Sequence, residues 1–223
     1  MRQTHLLTVA LLAATLASCG EGASATAEAD AARKDGCRVT DLPDRDRIND
    51  ALGYVPERPS PLAAAILCND AAGVEAALRA GASPNAREAG GETPLIIAAA
   101  IPRTPLLKRL LAAGGDPNAY EKDAGTLALT YALSAGVQYD DWSAWSALLN
   151  HGTDIGYRPP GGATIAEEAV SLGAIDKLLE LLDRGYAVDP ERLAKALETS
   201  RFDQATEPKR LKALERVHAL PRP

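Results

Sequence analysis

Apolar residues recur three and four positions apart through the middle of the chain, and each such run ends on a glycine. Seven residues before Gly81, Gly114, Gly152 and Gly185 stand Val74, Leu107, Trp145 and Leu178. Four before them stand Ala77, Leu110, Leu148 and Leu181, and three before them Leu78, Leu111, Leu149 and Leu182. This spacing sets the apolar side chains on one helical face, and glycine supplies the left-handed residue that ends the helix. The glycines lie 33, 38 and 33 residues apart, so one unit is written four times with five extra residues in one copy. A helix pair of this length cannot bury its apolar stripe alone and must stack on a copy of itself. The pattern predicts an all-α solenoid of about four to five helix-pair units.

The residues that open each unit are Ser60-Pro61-Leu62, Thr93-Pro94-Leu95, Thr126-Leu127-Ala128 and Thr164-Ile165-Ala166. A hydroxyl residue followed by Pro is a helix start: the side-chain oxygen caps free N–H groups, and Pro sits where no N–H is needed. Ala65, Ala98 and Ala169 form a small-residue column, and Gly-Ala-Ser-Pro-Asn at 81–85 is answered by Gly-Gly-Asp-Pro-Asn at 114–118. With its period, this pattern resembles the ankyrin repeat over about residues 60–189. The resemblance implies two helices and a β-turn finger per unit. Departures are visible: Ala63, Ile96, Leu129 and Glu167 stand where that family carries His, and units three and four lose the Pro and the turn Asn, with Gly156 and Asp189 in the Asn column.

The start of the chain is of a different kind. Arg2, the apolar run 6–16 and Leu16-Ala17-Ser18-Cys19 read as a secretory signal, too short for a membrane span. The last four residues resemble the bacterial lipobox, which implies cleavage before Cys19 and its lipidation. Acyl chains there would anchor the protein at ~0.8 kcal/mol per buried CH₂. Gly20 at the next position implies, by the same resemblance, the periplasmic face of the outer membrane. The expected order is a signal peptide over 1–18, lipidated Cys and flexible tether over 19–36, an N-terminal cap over 37–59, repeats over 60–189 and a C-terminal helical cap over 190–223. Ile48 and Leu52 mark the helix of the first cap. Leu193 and Leu197 mark a further first helix, and Leu211, Leu214, Val217 and His218 the last one.

The formal net charge is −6, the wrong sign for a nucleic-acid binder, whose affinity rests on neutralising phosphates. Beyond Cys19, the even pair Cys37 and Cys68 reads as a disulfide in an oxidising compartment, against the alternative of a small buried Cys68 and a free thiol. Chemistry is nearly absent from the sequence. His151 and His218 lie far apart, no metal-ligand spacing occurs, and the Glu167-Glu168 and Asp140-Asp141 pairs are adjacent residues that face different ways. We therefore expect no enzyme, no cofactor and no metal.

Six of the nine aromatic residues, Tyr120, Tyr131, Tyr139, Trp142, Trp145 and Tyr157, fall between 120 and 157. Trp145 and Tyr131 occupy core columns. The rest suit a protein-binding surface, where Tyr, Trp and Arg dominate. The fingers offer Arg87, Glu88, Tyr120, Glu121, Lys122, Tyr157 and Arg158. The segment that holds the extra residues, Gly136–Asp141, offers Tyr139 with neighbouring Trp142, expected to project from the opposite end of the helix pair. The expectation is a monomeric, lipid-anchored binder of a periplasmic protein. Two other readings stay open: an immunity protein against a toxin delivered to the periplasm, as the resemblance to small envelope proteins implies, and a structural spacer.

Overall fold

The computed structural model describes residues 37–221 apart from 40, 41, 43, 55, 102 and 161; Cys19, the signal segment and the tether lie outside the described residues. Among the described residues the protein is all-α, with eleven helices and no strand, and an isolated antiparallel bridge joins Tyr120 to Leu127. A leading helix, α1 (Arg45–Leu52), precedes five pairs. These are α2 (Pro61–Leu67) with α3 (Ala71–Arg79), α4 (Pro94–Ala100) with α5 (Thr104–Ala112), and α6 (Ala128–Tyr139) with α7 (Ser143–Asn150). Then follow α8 (Ile165–Ser171) with α9 (Ile175–Asp183), and α10 (Pro190–Thr199) with α11 (Glu207–His218). The members of each pair pack together, and successive first helices meet in turn: α2 on α4, α4 on α6, α6 on α8, α8 on α10.

The glycine-terminated columns are the core. Val74, Leu107, Trp145 and Leu178 are fully buried, as are Leu110, Leu148 and Leu181. Gly81, Gly114, Gly152 and Gly185 all take positive φ, between 81° and 90°, a conformation that costs a residue with a Cβ on the order of 1 kcal/mol or more. Helix α4, apolar all round in Pro-Leu-Ile-Ile-Ala-Ala-Ala, is buried at every residue, as a helix with neighbours on all sides must be. Ser60 Oγ accepts from Ala63 N at 3.2 Å and Thr93 Oγ1 from Ile96 N at 3.4 Å. Thr164 forms a full capping box with Glu167.

Unit three departs from the expected pattern twice. Its first helix begins at Ala128, with Leu127 at the N-cap and no side-chain cap. Thr126 is taken up one residue earlier, its carbonyl accepting from Glu121 N at 2.8 Å. The extra residues, which fall within Gly136–Asp141, do not make a projecting loop. They add a turn to α6, which runs to Tyr139 and stops at Asp140, in the left-handed region at φ 53°. Gly136 allows this, because a Cβ there would come within 2.4 Å of the Trp142 ring.

Helix α11 buries Ala213 and Val217, while Leu211 is 52% exposed and His218 lies outside. Its basic residues reach back to α9, Lys209 to Asp176 and Arg216 to Asp183. Helix α1 packs on α4 and α6, with Ile48 fully buried. Asp44 pairs with Arg103 just past the end of α4, and Arg47 lies 5.1 Å from the centre of the Tyr139 ring at the end of α6. Tyr54 donates to Glu92 just before α4 begins. Helix α1 therefore runs opposite to the two first helices beneath it. Cys37 is bonded to Cys68 with Cα atoms 6.1 Å apart, tying the leading segment to the junction of α2 and α3.

Candidate interaction surface

The loops that follow the terminating glycines are joined by polar side chains. Asn85 Nδ2 donates to Gly114 O at 3.0 Å, and Asn85 Oδ1 accepts from Asp116 N at 2.8 Å. Asn118 Oδ1 repeats the second bond with Asp154 N at 2.6 Å. Gly156 cannot continue the series, and there Arg158 pairs with Asp189 of the next loop at 3.2 Å. Each loop is thus held by its neighbour, which fixes the side chains it carries.

On this frame three of the expected residues come together. The Arg87 guanidinium sits 4.8 Å from the centre of the Tyr120 ring, and its Nη1 donates to the carbonyls of Gly91 and Tyr120, each at 2.7 Å. The Tyr120 ring stacks on Tyr157, with centroids 6.3 Å apart and planes inclined by 19°. One guanidinium and two phenol rings, from three successive loops, form a continuous ladder. Arg87 is exposed and Tyr120 is 43% exposed, while Tyr157 is half-buried. Lys122 is exposed beside the ladder, as is Arg158.

The carboxylates of the same loops do other work. Glu88 accepts from Ser60 N at 2.9 Å and Ser60 Oγ at 2.6 Å, so it holds the start of α2. Glu121 is buried and takes the amides of Asp123 and Ala124 in its own turn. Neither carboxylate is presented outward. Burial, with Glu121 and Glu92 adding negative charge, pushes the Tyr131 hydroxyl up to about 12.

Tyr139 and Trp142 lie apart from the ladder. The Tyr139 hydroxyl is buried with no hydrogen-bond partner among the described residues. Trp142 fills the space that Gly136 leaves, and Lys177 Nζ stands 4.7 Å from its ring centre. Trp142 lines a cleft of about 470 Å³ with Val137, Leu172 and Lys177. Trp145 is wholly internal, donating from Nε1 to Glu180 at 3.0 Å.

Sequence reasoning passed over Glu168, which lies in the first-helix face close to Tyr157. Its neighbour Glu167 caps Thr164 and pairs with Arg192. Glu168 has no such partner among the described residues, and burial together with the Glu167 charge pushes its carboxyl up. The signal was the Thr164–Glu167 capping box, which commits one glutamate of the pair and turns the other elsewhere.

Among the described residues no cluster of His, Cys, Asp and Glu could hold a metal ion, and no helix is long and apolar enough to cross a membrane. No family model matches the chain, and no curated protein is similar enough to count as a relative.

Proposed function

We propose that this chain is an ankyrin-type repeat array, lipid-anchored at Cys19 on the periplasmic side of a bacterial envelope, and that it binds a protein partner through its finger loops without catalysis. The repeated helix pairs, the glycine-terminated columns and the Asn-mediated loop contacts support the ankyrin-type reading. The observation that carries the binding function is the Arg87–Tyr120–Tyr157 ladder. Rings and a guanidinium held rigid before contact lose little freedom on binding, and Tyr and Arg are the residue types that dominate interface energetics. These side chains stand at the edge of the core, Tyr157 packed against it and Tyr120 43% exposed.

The test is recovery of partners from envelope extracts by the wild type and by Tyr120→Ala/Tyr157→Ala, with melting curves to verify that both are folded. The double variant should lose the partners at least tenfold, the loss of about 1.4 kcal/mol or more that marks an anchor residue. Equal recovery would overturn the ladder as the binding surface.

A further inference from the structure

A small cleft of about 140 Å³ opens between α6 and α8, beside the last ring of the ladder. Thr126, Thr130, Tyr157, Pro159, Ile165 and Glu168 line it. Pockets for metabolites run from about 300 Å³ upward, so this one suits a single side chain. Glu168 is half-buried and its carboxylate has no hydrogen bond or counter-ion among the described residues, whereas the adjacent Glu167 is satisfied by Thr164 and Arg192. A carboxylate withdrawn from water and left unpaired is unfavourable until a cation arrives. The rest of the lining fits a cation on an apolar stem. Pro159 and Ile165 offer surface for methylene groups, and Tyr157 offers an aromatic ring.

We infer that this cleft receives an arginine or lysine side chain of the bound protein, with Glu168 as its counter-ion. The inference rests on the reading of the ladder as a partner surface, and gives that surface a chemical preference: the partner presents a basic residue next to whatever covers Tyr120 and Tyr157. Arg192 is engaged with Glu167 and Arg158 with Asp189, so no described neighbour already occupies the position.

The experiment is a titration of the full mature protein, followed by ¹H–¹⁵N spectra, with acetyl-arginine and acetyl-lysine methylamides as probes and acetyl-citrulline methylamide as the neutral control. The cationic amides should give saturable shifts at Thr130, Tyr157 and Glu168, and citrulline should give none. In Glu168→Gln the affinity should fall about tenfold or more, as expected when one charge-assisted contact is lost. The absence of shifts at the cleft, an equal response to citrulline, or undiminished affinity in Glu168→Gln would each overturn the inference. The comparison of arginine with citrulline needs only the wild type, so it stands whatever the variant does. Failure here with loss of envelope partners in Tyr120→Ala would remove the subsite and leave the ladder; retention of partners in Tyr120→Ala would count against the ladder itself.

Discussion

Arg103 reaches Asp44 across 59 residues of sequence, and this pair holds α1 to the turn between α4 and α5. Their side chains are only 13% and 19% exposed, so removal of one leaves the other charged and poorly solvated. Arg103→Ala is expected to lower the unfolding free energy by roughly 2–3 kcal/mol, and Arg103→Met/Asp44→Leu to recover most of it. Urea unfolding of the three proteins measures this. A single variant as stable as the wild type would mean that α1 is held by its apolar face alone.

Trp145 fills the third unit's core column and also makes a polar contact with Glu180. Trp145→Phe should cost about 1–2 kcal/mol, since Glu180 keeps Lys177 and Arg184. Trp145→Ala should cost about 3–5 kcal/mol through the cavity it leaves. Denaturant midpoints separate the two, and near-equal losses would show that the indole N–H, rather than ring volume, carries the site.

Two glycines should respond to alanine for opposite reasons. At Gly114 a Cβ meets nothing within 4 Å, but φ is 88°, so Gly114→Ala should cost about 1 kcal/mol from backbone strain alone. At Gly136 the backbone is helical and alanine is intrinsically preferred, yet the Trp142 ring occupies the place of the Cβ. Gly136→Ala should cost about 1–3 kcal/mol by overpacking and shift tryptophan emission as the ring is displaced. Emission unchanged in that variant would contradict the contact.

The Glu168 carboxyl titrates above the ordinary glutamate range because of burial and the Glu167 charge. The folded protein therefore holds this proton more tightly than the unfolded chain does. Its contribution to stability is complete below the ordinary glutamate value and is lost as pH rises through the raised one. Glu168→Gln, which never ionises, should exceed the wild type in stability at neutral pH and match it in acid. Urea midpoints across that range test the sign, and a variant less stable at neutral pH would refute it.

The bond between Cys37 and Cys68 closes a loop with a sequence separation of 31. On chain entropy its loss should cost ~3–4 kcal/mol. Thiol titration of the unreduced protein should find neither cysteine free, and Cys37→Ser/Cys68→Ser should melt earlier, at a temperature insensitive to reductant. A wild type equally insensitive to reductant would show that the bond adds nothing.

Much of this architecture was legible because repetition makes each column a test of the others. Val74 alone says little; Val74, Leu107, Trp145 and Leu178 at one distance from a glycine say helix, face and terminus together. The seat of α1 was not legible. Ile48 shows that an eight-residue helix needs cover, but nothing in its own pattern distinguishes the end of the row from the bed formed by α4 and α6. The added turn of α6 was hidden for a related reason: Gly136 reads as a breaker until Trp142 is found filling its place. At the surface, Tyr120 and Tyr157 were visible by position, five or six residues past a glycine. Glu88 and Glu121 looked equally exposed in sequence, yet serve backbone groups, because a carboxylate in a turn is drawn to nearby amides. Glu88 finds its amide at Ser60, 28 residues away, and no local signal announces that.

The position of α1 on α4 and α6 has a consequence for the order in which the chain assembles. Synthesis runs from the N-terminus, so α1 emerges before α4 and α6, and its bed is completed only when residue 139 has been made. Helix α1 is thus translated before its bed and can settle only once α4 and α6 have followed it. The crosslink from Cys37 needs only the segment as far as Cys68, so it can close early and keep the waiting helix within reach of its berth.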